Sequence, residues 1–435
     1  MKRRVTRAPV HAVAHHKRGI TARFAAMRVA GASALASVLA VLGPGLLAGL
    51  SDDDPAGITT YSILGAEHGY RLLWIIPAST ILLVQFHLVA VRIGAATGKG
   101  FVAVVRERWG RTWGYAAVFG LVFANFGTIC AEYAGVAAAG SLIGLPAWLS
   151  AIAAGTLITL VVVLGSFARV EKVLLAISAT LALYVVDGIL AGPVWAEVAY
   201  GSVVPRMPVS RDGWIALAAS LGTTLAPWGL AFIQSYAVDK KITMASLRWE
   251  RVDVVVGSAL TGIVGLAIAV ACAATLHQAG VHIVDAGDAA AALRPLAGSF
   301  ATLFFGVGLL GSSLLAAAIV PIATSYSIAE GVGEPASLDL DSKHFHWFYA
   351  AFVGLTVAGV GVVAVPGLPL IQLIYSSQVL NAVMLPLHIV ALLLLAGNAE
   401  IMGSARSSTG ARFLGWISFV LVLACLGGMA WSWIG

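Results

Sequence analysis

The sequence predicts an all-α polytopic membrane protein built from two related halves. Of its 435 residues, 60% are hydrophobic and 11% are charged, whereas a soluble domain carries about 25% charged residues. Apolar stretches of about 20 residues, the length that crosses a bilayer as a helix, recur along the chain. Two of these stretches are interrupted by the same short Pro-x-Gly pattern, five spans apart. These observations predict eleven transmembrane helices, of which helices 1 and 6 are broken.

The predicted spans account for most of the chain. The hydrocarbon core offers no water, so each backbone amide must bond within its own segment, and the spans are therefore helices. We place them at residues 33–67, 72–92, 113–140, 147–165, 173–192, 213–236, 253–276, 299–328, 348–365, 369–396 and 412–433.

Basic residues are divided very unevenly between the two sets of loops. With the N terminus inside the cell, the outside segments hold only Arg71, Arg206, Arg211 and Arg294 of the 26 Lys and Arg residues. Cytoplasmic loops of membrane proteins carry such an excess of positive charge. We therefore predict an integral protein of the bacterial inner (plasma) membrane, with a cytoplasmic N terminus and an extracytoplasmic C terminus.

Two spans contain matching interruptions. The first span contains Asp54-Pro55-Ala56-Gly57, and the sixth contains Ala226-Pro227-Trp228-Gly229. Proline removes a backbone donor and glycine tolerates an unwound backbone, so we predict helix breaks at Pro55, Pro227 and Gly229. Paired breaks in corresponding segments are typical of secondary transporters and indicate the substrate site.

The paired breaks also predict how the chain is divided. Because five is an odd number, a second group of five helices has the opposite orientation in the membrane, which makes an inverted repeat of five plus five helices. The predicted parts are a basic cytoplasmic tail (1–30), a first repeat unit with helices 1–5 (31–192), an extracellular loop (193–212), a second repeat unit with helices 6–10 (213–396), and a cytoplasmic loop with helix 11 (397–435).

Three aspartates, Asp52, Asp53 and Asp54, lie at the first break. An ionised carboxylate at membrane depth costs several kcal/mol unless it faces a cavity or a cation. No Lys or Arg lies in the middle of any predicted span, so a mobile cation is the natural partner. Oxygen ligands suit hard divalent ions such as Mg²⁺ and Mn²⁺. The alternative is that Asp54 only caps the helix that Pro55 begins.

Other classes of function find little support in the sequence. It contains no GxxxxGK[ST] loop for nucleotide binding, and the basic tail is typical of a cytoplasmic anchor rather than of a nucleic-acid partner. The three cysteines lie far apart and lack metal-ligand spacing. We expect no enzymatic activity, no resident cofactor, and a monomer whose partners are the transported ion and the lipid bilayer.

Four stretches resemble the NRAMP family of divalent-metal transporters. They are "GPGLLAGLSDDDPAGITTYSILGAEHGYRLLW", "RIGAATGKG", "RVEKVLL" and "SSQVLNAVMLPLHIV". They occur in the family's order, and the resemblance runs from about residue 40 to 400 and covers the two helix breaks. The resemblance implies a LeuT-type fold, alternating access and a divalent-metal substrate.

The family's metal-site motifs are only partly matched. The family's first break reads Asp-Pro-Gly-Asn, and here Asp54 matches the aspartate while Gly57 replaces the asparagine. The family's sixth helix reads Ala-x-x-Met-Pro-His, and here Thr223 stands in place of its alanine, Ala226 of its methionine and Trp228 of its histidine. In the tenth helix, Ser377-Gln378-Val379 match a Ser-Gln-Val that completes the family's occluded site.

From this resemblance and the two breaks we predict the following site. The metal would be held around Asp54, Gly57, Thr223, Ala226 and Gln378, with a polar lining formed by Asp53, Thr224, Glu132 and Asn381. Local alternatives stay open, because threonines often bond back to their own helix and Gln378 and Asn381 can bond between helices.

The departures from the family predict the substrate. A thioether is a soft ligand that favours late transition metals, and its replacement by Ala226 favours Mg²⁺, with Mn²⁺ as a second substrate. This resembles the branch of NRAMP-related magnesium transporters. Of the family's proton-route groups, Glu132 is present, but Ile129 replaces an aspartate and the ninth span lacks the arginine. We therefore expect weak or absent proton coupling. The alternatives are a proton-coupled Mn²⁺/Fe²⁺ importer, a metal sensor, and an organic-solute carrier.

Overall fold

The computed structural model describes residues 54–163, 183–334 and 346–434, and within these ranges the regular secondary structure is helical. The predicted basic tail (1–30), Asp53 and parts of spans 1 and 5 lie outside the described residues. The main helices are α1 (Pro55–His68), α2 (Ile75–Thr97), α3 (Phe101–Trp109), α4 (Arg111–Ser141), α5 (Ala147–Val163), α6 (Leu183–Leu190), α7 (Trp195–Val203), α8 (Arg211–Thr224), α9 (Pro227–Asp239), α10 (Leu247–Cys272), α11 (Ala301–Val332), α12 (His346–Val363), α13 (Leu370–Gly397) and α14 (Thr409–Trp431).

Short helical segments connect or extend the main helices. A π-helical turn, Ala273–His277, continues α10. The others are Ala286–Ala290, Ala291–Leu293, Arg294–Ala297, Gly298–Phe300, Ala399–Met402 and Gly403–Ala405. Helix α7 lies within residues 193–212, where the sequence predicts a loop.

Seven helices of the described part are long and apolar enough to cross a membrane, counting α8 and α9 as one interrupted helix. They coincide with predicted spans 2, 3, 6, 7, 8, 10 and 11. Predicted spans 4 and 9 correspond to the shorter apolar helices Ala147–Val163 and Trp347–Val363. The structure therefore agrees with an all-α polytopic protein, and the total of eleven spans stays a prediction.

The helix ends near the predicted breaks follow from local chemistry. Asp54 is the N-cap of α1, and Pro55 occupies its first turn, where the missing N–H has no cost. In the sixth span, α8 ends at Thr224 and α9 begins at Pro227. Pro227 cannot donate to the carbonyl of Thr223, four residues earlier, so the hydrogen-bond ladder stops there.

In lipid, helices associate through close van der Waals packing rather than through the hydrophobic effect. Small residues at the helix interfaces permit this close approach. Gly65 on α1 faces α10, and a Cβ added there would lie 2.1 Å from the carbonyl oxygen of Ala269. Gly222 on α8 faces α13, and its Cβ would lie 1.9 Å from the carbonyl oxygen of Gln378. These contacts hold the broken segments against continuous helices.

The described bundle has two ends, which we name by His68 and Lys99. At the His68 end, Trp74 Nε1 donates to the Arg206 carbonyl over 3.1 Å, and His282 Nδ1 lies 2.9 Å from the Glu67 carboxylate. At the Lys99 end, Arg108 pairs with Glu400 at 2.7 Å. The loops on either side of α2 thus lie at opposite ends of the bundle.

We predict that Gly65→Ala destabilises the protein. The added methyl group meets backbone rather than a flexible side chain, so α1 and α10 must separate, and overpacking of this kind costs about 1–3 kcal/mol. The measurement is the midpoint of thermal unfolding of detergent-purified protein at one scan rate. Gly354→Ala is the control, because a Cβ at Gly354 meets no atom within 4 Å. Equal midpoints for the two variants would show that the close approach is not needed.

Candidate metal site

Asp54 begins α1 with its side chain buried. Its Oδ1 accepts the N–H of Gly57 over 2.7 Å, and the residue is 5% exposed. The first amides of a helix have no acceptor within the helix and stabilise a negative charge nearby. The capping role that the sequence left open is therefore present in the structure. A carboxylate has about four lone-pair sites on its two oxygens, so a capping hydrogen bond does not use up its capacity to accept. A cap and an ion ligand can therefore be the same carboxylate.

Glu132 on α4 places a second carboxyl group beside that of Asp54. Glu132 is fully buried, and neither of its carboxyl oxygens makes a hydrogen bond of ordinary geometry to a described residue. Two adjacent buried carboxylates repel each other strongly unless a cation or a proton lies between them. The pair is therefore the strongest electrostatic feature of the site.

The two carboxyl groups are held together by the packing of α4 against α1. Gly135 is one turn beyond Glu132, and a Cβ at this position would lie 2.4 Å from Cβ of Pro55. The first turn of α1 therefore rests directly on α4. A larger residue at position 135 would displace Asp54 from Glu132.

A line of buried polar residues continues along α4 from Glu132. Asn125, Thr128 and Glu132 recur at helical spacing and are each at most 1% exposed. Asn125 Nδ2 donates to Thr324 Oγ1 on α11 over 2.9 Å. Thr128 Oγ1 donates to Asn381 Oδ1 on α13 over 3.3 Å. This face of α4 therefore joins the carboxyl pair to two neighbouring helices.

The polar residues of α13 belong to the same network. Gln378 Nε2 donates to Ser377 Oγ over 2.7 Å, and Asn381 Nδ2 donates to Gln378 Oε1 over 3.0 Å. Asn381 Nδ2 also lies 3.0 Å from Thr128 Oγ1. Asn381 thus makes the interhelical bond that the sequence left open as an alternative, and it fixes the side chain of Gln378.

The second break carries both bonded and unbonded polar groups. The Thr224 hydroxyl lies 2.7 Å from the Ser220 carbonyl, 2.7 Å from the Tyr61 hydroxyl and 3.0 Å from Ser79 Oγ. It bonds back to its own helix and also ties α8 to α1 and α2. In contrast, Thr223 Oγ1 is buried without a partner among the described residues.

The predicted site residues thus fall into three adjoining groups. Asp54 and Gly57 lie with Glu132 at the first break; Gly57, which lacks a side chain, contributes its N–H to the cap of α1. Thr223, Thr224 and Ala226 lie at the second break, and Pro227 and Gly229 lie in the first turn of α9. Gln378 and Asn381 lie on α13, where Gly222 brings α8 against the backbone of Gln378. Asp53 is outside the described residues.

Four further residues of this region were not predicted from the sequence, namely Asn125, Thr128, Tyr61 and Ser79. Asn125 and Thr128 could have been found, since they stand seven and four residues before Glu132 on one helix face. Tyr61 and Ser79 carry no such signal. Within the described residues, no three His, Cys, Asp or Glu side chains form a group that could hold a metal. An ion here would therefore complete its shell with carbonyl, hydroxyl, amide or water oxygens.

We predict that Thr224→Val lowers stability by about 1–3 kcal/mol, since it removes two interhelical hydrogen bonds that contribute about 0.5–1.5 kcal/mol each. The change replaces a hydroxyl by a methyl group and removes the links to Tyr61 and Ser79. Thr275→Val is the matched control, because among the described residues the Thr275 hydroxyl bonds only to the Ala271 carbonyl of its own helix, over 2.7 Å. Thermal unfolding of both variants checks this. A midpoint of Thr224→Val equal to that of Thr275→Val would refute the linking role.

Sequence comparison assigns the chain to one family over nearly its whole length. Residues 45–432 match the family described as natural resistance-associated macrophage protein-like, Nramp. The chain is 28% identical over 427 residues to the divalent metal cation transporter MntH of Deinococcus radiodurans, covering 93% of each chain. It is 27% identical over 404 residues to MntH of Klebsiella pneumoniae, covering 89% of this chain and 93% of that protein.

Comparison with solved structures gives the fold. A manganese transporter of Eremococcus coleocola superposes with a TM-score of 0.68 at 20% identity, covering 92% of this chain and 95% of that one. MhsT, in complex with L-phenylalanine, superposes with a TM-score of 0.58 at 16% identity, covering 91% of this chain and 98% of that one. These likenesses agree with the predicted LeuT-type fold. The match to the Nramp family over residues 45–432 shows that the chain belongs to that family.

Proposed function

We propose that this protein is a secondary transporter that takes up divalent metal cations by alternating access, with Mg²⁺ as main substrate, Mn²⁺ as second substrate and weak or no proton coupling. The observation that carries the proposal is the buried carboxyl pair of Asp54 and Glu132 at the first helix break. A pair of carboxylates at this depth needs a positive partner. The relatives named as divalent metal cation transporters support the same substrate class.

The preference for Mg²⁺ rests on the absence of sulfur from the broken helices. Helices α1, α8 and α9 contain neither Met nor Cys. Thioether and thiolate ligands favour late transition metals, whereas carboxylate, carbonyl and water oxygens suit Mg²⁺ and Mn²⁺. Mg²⁺ gives up its water reluctantly and usually keeps several water ligands when bound. Ala226 at the second break leaves more room for such water than a methionine would.

The membrane potential supplies enough free energy to drive uptake of a divalent ion without a coupled proton. A divalent ion moving to an inside-negative compartment gains roughly 4.6 kcal/mol per 100 mV, twice the value for a single charge. We place the Lys99 end of the bundle in the cytoplasm of a bacterial cell, because the loops at that end carry most of the Lys and Arg residues. The ion would therefore pass from the His68 end to the Lys99 end.

We predict that Asp54→Asn abolishes metal uptake while the fold is kept. Asparagine is as good an N-cap as aspartate, so it can still accept the Gly57 N–H, but it removes the charge that holds the ion. The measurement is Mg²⁺ flux into liposomes that contain the purified protein and a magnesium-sensitive dye, with an inside-negative potential. Thermal unfolding of the same sample checks the fold.

The matched control is Asp285→Asn. Asp285 also caps a helix, through the Gly287 and Asp288 amides, but its hydrogen bonds are exposed at the surface. We expect flux to be unchanged in this variant. Normal flux through Asp54→Asn would show that Asp54 acts only as a helix cap, and it would remove the basis of the proposal. Manganese flux without magnesium flux through the unmodified protein would overturn the substrate order.

A proton-coupled Mn²⁺ importer is the second candidate, and one observation favours it. A proton shared by the Asp54 and Glu132 carboxyl groups relieves their repulsion and still leaves one negative charge, so the pair can hold a proton together with a metal ion, as co-transport requires. The same liposomes with a pH-sensitive dye separate the two candidates. Internal acidification that accompanies metal entry and scales with it supports the coupled importer, and metal entry without acidification supports uncoupled uptake.

We predict that Ala226→Met shifts selectivity from Mg²⁺ toward Mn²⁺ and Cd²⁺. The substitution restores a thioether at the second break, where a soft ligand strengthens binding of softer ions. Competition of Cd²⁺ against Mg²⁺ flux measures the shift, and we expect the ratio of inhibition constants to change by about tenfold, or about 1.4 kcal/mol. Ala226→Leu is the control of similar size without sulfur. An equal shift in both variants would assign the effect to volume rather than to sulfur.

A further inference from the structure

Glu330 is a buried acidic residue that the metal site does not use. It lies near the end of α11, at the Lys99 end of the bundle, and is 8% exposed. Its Oε2 accepts the N–H groups of Val102 and Ala103 over 3.0 and 3.3 Å. Its Oε1 accepts the Ser235 hydroxyl over 2.7 Å. One carboxylate therefore joins three separate elements, α3, α9 and α11.

Helix α3 depends on this carboxylate for its N-terminal cap. The N-cap residue is Gly100, which has no side chain to accept a hydrogen bond. The first amides of a helix need an acceptor, and a negative charge at this position is favourable. Glu330 supplies both from a neighbouring helix.

The Glu330 cluster, which we define as Glu330, Gly100, Val102, Ala103 and Ser235, allows only a glycine at its centre. A Cβ at position 100 would lie 2.5 Å from Ser235 Oγ and far inside the contact distance of Glu330 Oε1. Any side chain there must displace the carboxylate from the amides it caps.

Helix α9 connects the second break with the Glu330 cluster. Trp228, Phe232 and Tyr236 follow one another along its axis, with ring centroids 6.3 and 5.0 Å apart, and all three are buried. The Lys240 ammonium lies 5.1 Å from the Tyr236 ring centroid. A displacement of α9 at its Lys99 end would therefore be transmitted along a packed aromatic face to the break.

Two further contacts hold α9 at the same end. Gln234 Nε2 donates to the Lys99 carbonyl over 3.0 Å, and Tyr326 on α11 donates to Asp239 over 2.9 Å. A cavity of about 650 Å³ adjoins these contacts, and its lining includes Lys99, Ser235, Tyr326 and Glu330. Water from this cavity can replace the hydrogen bonds of the cluster when α9 moves away, so the contacts can be broken and formed again at modest cost.

We propose that the Glu330 cluster is the gate contact of the Lys99 end: its carboxylate holds α9 and α3 against α11 in the closed state, and the cluster opens when the metal is released into the adjoining cavity. The opening step rests on the proposed transport function, while the closed contact does not. No covalent bond is made or broken. When the cluster opens, the carboxylate accepts hydrogen bonds from water O–H groups in place of the protein N–H and O–H groups. The two states differ in whether α9 is attached to α11, which is a population shift of a preformed contact.

The test measures access to α9 from the Lys99 side. A reporter cysteine replaces Ala231 on α9, which is 3% exposed, in a chain whose Cys130, Cys272 and Cys425 are replaced by alanine. The protein is reconstituted into vesicles, and a membrane-impermeant thiol reagent is added to one side at a time. We expect Glu330→Gln to raise the rate of modification from the Lys99 side by about tenfold, because an amide cannot accept from all three donors at once.

Glu334→Gln is the matched control, since it makes the same change at an exposed residue of the same cavity and should leave the rate unchanged. Ser235→Ala and Gly100→Ala disturb the cluster without removing Glu330, and both should raise the rate. If Glu330→Gln does not yield folded protein, these two variants test whether the cluster limits access to α9.

The outcomes separate this proposal from the proposed function. Unchanged modification rates in all cluster variants, in protein that still shows metal flux, would overturn the gate contact and leave the transport function standing. Raised rates in the cluster variants, combined with no metal flux through the unmodified protein, would support the contact and overturn the transport function. Equal increases in Glu334→Gln and Glu330→Gln would also contradict the proposal, because the effect would then follow from lost charge in the cavity rather than from the cluster.

Discussion

The buried carboxyl pair of Asp54 and Glu132 is the constraint on which the rest of the structure depends. A charge in a hydrocarbon environment is tolerated only with a partner, and the two groups cannot supply that partner to each other. The helix N terminus at Gly57 relieves part of the cost through one hydrogen bond of 2.7 Å. The remainder calls for a cation or a proton, and this need is the basis for the proposed metal site at the first helix break.

Close packing around this pair is achieved with small residues and short hydrogen bonds. Gly135 brings α4 against the first turn of α1, and Gly222 brings α8 against α13. The polar network of Thr128, Gln378 and Asn381 then fixes α4 relative to α13. Broken helices have unsatisfied backbone groups, and continuous helices held at contact distance keep these groups away from lipid. The same close helix contacts therefore position the residues of the site and shield the backbone groups at the breaks.

The second broken helix has a mechanical as well as a chemical role. Its first half, α8, is tied to α1 and α2 through Thr224, whereas its second half, α9, is tied to α11 and α3 through the Glu330 cluster. A break between two such segments lets each follow a different neighbour, because no backbone hydrogen-bond ladder joins them. This arrangement fits alternating access, in which the two sides of a site open in turn while the site itself stays near the middle.

The amino-acid sequence was enough to predict the membrane setting, the family, the positions of both proline breaks and the acidic residue at the first one. These follow from composition and from local rules: length sets a span, proline stops a helix, and Asp before Pro caps the next one. The tertiary structure alone decided that Glu132 lies beside Asp54, that the Thr224 hydroxyl links three helices, and that Glu330 caps a helix 228 residues earlier in the chain. Such pairings depend on which helix faces meet. Helical periodicity says that a residue lies on a face, but the partner of that face is settled only when all the helices pack together.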